Sequence, residues 1–378
     1  MLSPSFDYAI IGTGAAGFHL AIRFAEDPFF QNKKILILEK DTKNTDDRTW
    51  SFWEKGATQW DGLAEKKWDK ARFYGVKDCF NISLEPYRYK TIRSSKFYGH
   101  AKEIIDSSDR FTMVHDEVLE IDNHLIKTKD GAYQSQHIFD SRISKVFFEK
   151  KKEHQTLTQH FLGWFIKTET PVFNTDEVIM MDYRLRWNSD TSFTYVLPFA
   201  PNFALVEFTL FNEEMIPESG YEEKLRNYIS AYLKRSNYTI EEVETGAIPM
   251  SDYPFHKHHS DVTTKIGTAG GWVRPSSGYS FKNAERYSKK IVENIKNRRS
   301  PQKNIAKSRF RLYDSIFLRV LKERNDLGPE IFQMLYTKHK AKTLFRFLDE
   351  ESTLLEDAKI MLSLNKRIFR KALLKSIF

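Results

Sequence analysis

The feature that most narrows what this chain can become lies near its start. The apolar run Tyr8–Ile11 predicts a buried strand. Gly12, Gly14 and Gly17 follow at G-x-G-x-x-G spacing, and Phe18–Phe24 reads as a helix. In that context Gly12 permits the tight turn, Gly14 lets the backbone approach a pyrophosphate, and Gly17 lets helix and strand pack closely. The helix N-terminus offers free N–H groups and a favourable dipole to phosphates. Ile35–Leu38 reads as a second strand, ended by Glu39, where an acid would hydrogen-bond a ribose hydroxyl. A lone glycine fingerprint is weak evidence. Strand, glycines, helix, strand and acid in this order point to a Rossmann-like dinucleotide unit, against the plainer alternative of a tight turn with no ligand.

The chain of 378 residues is long enough for two or three domains or subdomains. Its 30 Phe and 17 Tyr serve either core packing or a site for a large apolar ligand. The charged Asp7 and the glycine loop interrupt the N-terminal apolar stretch, so no signal peptide is expected. No apolar run approaches the length of a transmembrane helix, and a cytoplasmic protein is expected. Cys79 is the single cysteine, which excludes an intrachain disulfide and a cysteine metal cluster. His256, His258 and His259 cluster beside Pro254 in a polar stretch, and no metal is expected there. The net charge of +8 fits an anionic membrane surface or nucleic acid, but no nucleic-acid motif accompanies it.

Along the chain, an α/β pattern gives way to β and returns. Residues 1–70, 98–165 and 255–300 are expected to form the dinucleotide-binding domain. Residues 71–97 and 166–254 would form a mainly β substrate domain interrupting it. VIMMDYRLRW, FTYVLPFA and FALVEFTLF are its candidate strands, and a helix is expected over Tyr221–Arg235. Residues 301–378 read as a helical, basic and amphipathic C-terminal region.

From Asp47-Arg48-Thr49-Trp50-Ser51-Phe52-Trp53 onward, the chain resembles the bacterial lycopene β-cyclases, flavoproteins built like the aromatic hydroxylases. QHFLGW (Gln159–Trp164), MMDYR (Met180–Arg184), FTYVLPF (Phe193–Phe199), LVEFT (Leu205–Thr209), ETGAIPM (Glu244–Met250) and GTAGGWVRPSSGYSF (Gly267–Phe281) match in the same order. The resemblance spans nearly the whole chain. It implies FAD acting in its reduced form, with NADH or NADPH as reductant. It also implies an isomerisation that closes each linear ψ-end of lycopene to a β-ionone ring through a monocyclic carotene such as γ-carotene. The cofactor residues it implies are Gly12, Gly14, Ala15, Ala16, Gly17, Glu39, Arg48, Thr268, Ala269 and Gly278. Thr268 stands where the second flavin motif of this group usually has aspartate. Asp140 sits where relatives carry an acid near the adenosine side, in a structural or cofactor-supporting role.

Ring closure needs an acid, something negative or π-rich to stabilise a carbocation, and a base. Glu207 is the only acid between Asp190 and Glu213 and lies in a strongly apolar strand. Burial there would raise its pKa and keep it ready to donate. The resemblance assigns it the catalytic acid. Phe208 stands where relatives often have a second acid, which leaves Glu207 alone in that motif. Asp182 is the second catalytic candidate, with a salt bridge to Arg184 as its alternative role. Tyr195, Phe193, Trp50 and Trp53 are candidates for cation–π support. Thr353 and Glu356 form a candidate capping box.

The tail interleaves Tyr313, Phe317, Leu321, Ile368, Phe369 and Leu373 with Arg and Lys. Such helices either dock on an anionic bilayer at the inner face of the cell membrane or pack on the protein's own core. Lys366–Phe378, ending in Ile377 and Phe378, is the better membrane candidate. A redox flavoenzyme acting on another apolar substrate, such as a monooxygenase, remains the alternative to a cyclase. A catalytically silent nucleotide- or lipid-binding protein is a third reading.

Overall fold

The structure, a computed structural model, describes residues 3–234, 237–364 and 366–377. The first part of the chain carries strands β1 (Ser5–Ile11), β2 (Ile35–Glu39), β3 (Thr49–Lys55), β4 (Lys66–Trp68), β5 (Lys70–Tyr74), β6 (Cys79–Ser83) and β7 (Tyr87–Arg93), with helix α1 (Ala15–Glu26) after β1. Helix α2 (Ser94–Asp106) leads to β8 (Phe111–His115), β9 (Val118–Asp122), β10 (Leu125–Thr128) and β11 (Ala132–Asp140). After helix α3 (Lys145–Lys150) come β12 (Thr156–Thr168), β13 (Glu177–Asp182), β14 (Thr191–Ala200) and β15 (Phe203–Asn212). Helix α4 (Glu218–Tyr232), β16 (Tyr238–Ser251), β17 (Thr263–Lys265) and helix α5 (Phe281–Lys296) follow. Helices α6 (Ser308–Glu323), α7 (Gly328–Lys338), α8 (Ala341–Leu348), α9 (Leu354–Ser363) and α10 (Lys366–Ile377) complete the fold.

The first sheet has strand order β8-β2-β1-β11-β10-β9, with β17 also paired to β11. Its β8, β2, β1, β11 and β17 are parallel. Every residue of β2 is buried, as expected of a parallel strand covered on both faces. Helices α1, α2 and α5 cover one face through Phe18, Phe97, Phe281 and Ile291. Gly12 turns the chain at φ +88°, a conformation that L side chains rarely adopt. At Gly17 a Cβ would lie 2.0 Å from the carbonyl oxygen of Gly12, so only hydrogen lets α1 approach the turn.

The second sheet runs β16-β12-β15-β14-β13-β5-β6 and is antiparallel except where β13 meets β5. Side chains alternate across it. On β15, Val206, Phe208 and Leu210 pack toward Tyr221, Leu225 and Tyr228 of α4. Leu205 and Phe211 join the opposite core, with Phe193, Leu318, Phe332 and Phe345. A small third sheet, β3-β7-β4, is built from the segment between β2 and α2, which also supplies β5 and β6 of the second sheet.

The strand expected over VIMMDYRLRW ends at Asp182. There the carboxylate accepts the Arg184 backbone N–H at 3.1 Å and folds the chain into a turn. The expected Tyr221–Arg235 helix is α4, which begins and ends three residues earlier, although Arg235 lies outside the described residues. The capping box forms as expected, with Thr353 Oγ1 accepting from Glu356 N at 3.2 Å and Glu356 accepting from Thr353 N at 2.8 Å.

Helices α6 and α10 turn apolar side chains inward. Leu321 is buried against the second sheet, and Phe369 packs with Ile368 and Leu373 near α6. Phe378 and the Ile377 side chain, the proposed membrane tip, lie outside the description. No described helix is long and apolar enough to cross a membrane.

Replacement of Gly17 by Ala is expected to destabilise the fold by about 1–3 kcal/mol, read as a lower urea midpoint with an unchanged slope. Gly14→Ala has nothing within 4 Å of the added Cβ and should lose less.

Candidate active site

A cavity of about 370 Å³ opens between the second sheet, the third sheet, the Gly267–Phe281 segment and helices α6–α10. Its floor is the face of β15 that presents Leu205, Glu207, Thr209 and Phe211. Period-two alternation sends residue 208 toward α4. A second acid at that position would not reach the cavity from this strand.

The second carboxylate comes from another strand. In the sheet register, Tyr195 on β14 lies opposite Glu207 on β15. Glu207 lies opposite Gly163 on β12, which in turn lies opposite Glu244 on β16. Four residues therefore form one cross-strand row on one face, and Tyr195, Glu207 and Glu244 all line the cavity. A Cβ at Gly163 would meet Leu205 Cδ1 at 2.8 Å and Glu207 Cβ at 3.3 Å. The missing side chain lets Leu205 and Glu207 pack directly over β12.

Glu207 accepts a hydrogen bond from Thr209 Oγ1 at 2.7 Å. Its remaining accessible surface faces the cavity. Burial, reinforced by the charge of Glu244 and opposed by the Thr209 hydroxyl, pushes its pKa up to about 8. Glu244 accepts from the Thr49 amide at 3.0 Å and from Thr49 Oγ1 at 2.5 Å. Burial also raises Glu244, against the lowering effect of Thr49, Arg93 and Arg48. Phe208 leaves Glu207 alone in its own motif, and a further strand carboxylate in the cavity is Glu244. ETGAIPM supplies the partner, and the glycine inside the apolar strand HFLGWF was the available signal, because strand glycines mark close approach.

The wall also carries phenols and aromatic rings, beside aliphatic side chains such as Met180, Ile248 and Leu335. Tyr195 Oη donates to Tyr89 Oη at 2.7 Å, and Tyr89 and Tyr279 hydroxyls lie 3.2 Å apart. Burial holds all three as neutral phenols. Phe193 and Trp50 also face the cavity. Trp53 does not line it. Its ring stacks on Phe345 at 4.4 Å and its Nε1 donates to Asp349 at 2.8 Å.

Asp182 is likewise outside the cavity lining. Its fully buried carboxylate is bound by Arg184, with Nε at 2.9 Å and Nη2 at 2.5 Å, and by Tyr228 of α4 at 2.8 Å. These donors fix it as a structural clamp on the α4 side, correcting the catalytic expectation. Asp140 is a similar node, gripped by Arg142 Nε at 2.9 Å and by Lys265 Nζ at 2.7 Å. Those charges hold its carboxyl low despite burial.

The glycine residues fit a dinucleotide. Gly14 caps α1 without a side-chain hydrogen bond, and open space lies where its Cβ would be. Glu39 at the end of β2 accepts from Thr13 N at 2.5 Å and Thr13 Oγ1 at 2.9 Å. The second glycine loop closes on the first: a Cβ at Gly267 would meet Ala16 Cβ at 3.1 Å. Arg48, Thr268 and Gly278 line the cavity, while Ala269 is buried behind it. Among the described residues, Ser277 Oγ and Gln159 Oε1 on the cavity wall are buried without a hydrogen-bond partner, leaving polar atoms for a bound group to satisfy.

The fold is similar to that of several solved structures. A geranylgeranyl bacteriochlorophyll reductase-like protein from Thermoplasma acidophilum is 14% identical with a TM-score of 0.57, covering 100% of this chain and 96% of its own. A flavin-dependent brominase is 15% identical with a TM-score of 0.57 and covers 98% of both chains. A tryptophan halogenase from Shewanella frigidimarina is 11% identical with a TM-score of 0.57, covering 99% of this chain and 94% of its own. At these identities the likeness is one of fold. No curated protein matches the chain in sequence. The family model described as "Lycopene cyclase protein" matches residues 7–374, and the chain belongs to that family.

The pair of buried acids has a measurable effect on stability. Glu207 is raised in the fold, so its neutral form favours folding. As pH rises above the ordinary carboxylate value the unfolded chain ionises first, and stability falls until the folded pKa of about 8 is passed. Glu207→Gln is therefore expected to melt higher than the parent at pH 8, with the difference vanishing near pH 4, as followed by thermal denaturation.

Proposed function

We propose that this protein is a lycopene β-cyclase. It would close the ψ-ends of lycopene to β-ionone rings, through γ-carotene to β-carotene, with no net redox change. The observation that carries the reading is Glu207: a carboxylic acid that burial keeps protonated at neutral pH, placed in an aromatic cavity. Family membership supports a carotenoid substrate.

The chemistry of the chain's own residues follows from the cavity. Glu207 donates its proton to the terminal double bond, which leaves a tertiary carbocation. The faces of Tyr195, Phe193 and Trp50 stabilise that cation. The apolar walls exclude water that would trap it as an alcohol. Small-molecule pockets span about 300–1,000 Å³, and a cavity of about 370 Å³ is at the lower end. It suits one end group of a long polyene at a time.

FAD is the cofactor in this reading. Gly12, Gly14, Ala15, Ala16 and Gly17 would hold its pyrophosphate and Glu39 its adenosine ribose, with Arg48, Thr268, Ala269 and Gly278 toward the flavin. Reduced by NADH or NADPH, it supplies a negative charge that favours a nearby cation.

A peripheral position at a membrane, where lycopene dissolves, belongs to the same reading. The support comes from α9 more than from the tip of α10. Leu354, Leu355 and Leu362 are 67%, 76% and 65% exposed, while Ile360 and Met361 of the same helix line the cavity. Exposed Lys359, Arg370 and Lys371 nearby suit anionic headgroups. The shared fold of the brominase and the halogenase favours one second reading, an FAD-dependent oxidoreductase or monooxygenase acting on an apolar substrate.

Expression in lycopene-accumulating cells, with pigments separated by chromatography, tests the proposal. Conversion to γ- and β-carotene is expected, with Glu207→Gln slower by about 100-fold or more. Unchanged lycopene beside folded, flavin-loaded protein would overturn it, and stoichiometric consumption of nicotinamide and oxygen would favour the redox reading. In a reconstituted assay, kcat/KM should fall as pH rises through about 8, where the donor loses its proton.

A further inference from the structure

The two carboxylates that share the Gly163 row have different surroundings. Glu207 accepts one side-chain hydrogen bond, from Thr209. Glu244 accepts two hydrogen bonds from Thr49, and Arg93 and Arg48 favour its charged form. Of the three carboxylates that line the cavity, Asp314 is paired with Arg274; between the other two, which resist ionising together, the proton favours the one whose anion is less well bonded. The geometry therefore gives the anion of Glu244 more partners than that of Glu207, and the intervening strand carries glycine at this row.

We propose that Glu244 is the catalytic base, taking the proton that leaves the closed ring. The inference rests on the cyclase reading above. The step balances. The π pair of the terminal double bond binds the proton of Glu207 and leaves a cation on the tertiary carbon. The π pair of the neighbouring double bond forms the ring C–C bond and moves the cation to the methyl-bearing ring carbon. The C–H pair of the adjacent junction carbon becomes the ring double bond as its proton passes to Glu244. No electron is gained or lost. The pair again holds one proton, now on the other carboxylate, and its return to Glu207 restores the starting state.

The position of the base also selects the ring. Loss of the junction proton gives the β-ring. Loss of a proton from the ring methylene on the other side of the cation places the double bond one position away. A fixed carboxylate on one side makes that choice, and a merely structural residue does not.

Glu244→Gln and Glu244→Asp are compared with the parent and with Glu207→Gln in lycopene-accumulating cells, scoring both conversion and ring type. Glu244→Gln is expected to lose about 100-fold in conversion, with a larger share of the residual product carrying the displaced ring double bond. Glu244→Asp should recover part of both. A parent that leaves lycopene unconverted overturns the cyclase reading itself. A converting parent matched by Glu244→Gln in rate and ring type overturns this inference alone. Should Glu244→Gln fail to accumulate as folded protein, Thr49→Val strips the hydroxyl donor and keeps the carboxylate. A several-fold slower conversion with the same change of ring type is then expected, and an unchanged rate and ring type overturns the inference.

Discussion

The structure is organised around the cost of holding two carboxylates close together away from water. An ionised acid in an apolar interior is unfavourable unless it is paired or well hydrogen-bonded, and a second like charge makes it worse. The sheet meets that cost by register. Cross-strand pairing brings Tyr195, Glu207, Gly163 and Glu244 into one line, and the hydroxyls of Thr209 and Thr49 satisfy one acid each. The opposite face of the same strands packs on α4 and is apolar. A slip of one residue in the pairing would exchange the faces and turn Glu207 toward α4.

Other charged groups, Asp314 of the cavity wall among them, join elements of the fold. Asp140, Arg142 and Lys265 join β11 to β17, and Asp182 with Arg184 and Tyr228 joins β13 to α4. Arg274, 2% exposed, reaches Asp314 on α6 at 3.1 Å and Glu350 beyond α8 at 3.4 Å. It thereby ties the second glycine loop to the helices that close the cavity. Burial raises Asp314 to about 6 even against the opposing charge of Arg274. Pairs this deeply buried give weak net stability, but losing one partner leaves a charge stranded.

What the amino-acid order reveals depends on how local the information is. The β1–α1–β2 unit is legible because turn, cap and close packing are set within a few residues of Gly12 and Gly17. Glu207 is legible because it is a single acid in an apolar strand. Glu244 is not, since its place depends on β12 pairing with β15 and β16 at once, a register that no local pattern encodes. Asp182 misleads for the same reason: its sequence neighbours suggest a proton handler, and only α4 folding back with Tyr228 shows a clamp. The amphipathic tail shows that its helices bury one face, but not that this face completes a cavity wall.

That wall has a consequence for how the acid comes into being. Its residues run from Arg48 to Phe369, nearly the full span of the chain. Contacts so distant in sequence form late, and on the ribosome the N-terminal part emerges first. Without the last helices that wall is incomplete, and the burial that raises Glu207 depends on it. Acid strength here is a property of the finished tertiary structure, and a partly folded chain carries the same residue without the same chemistry.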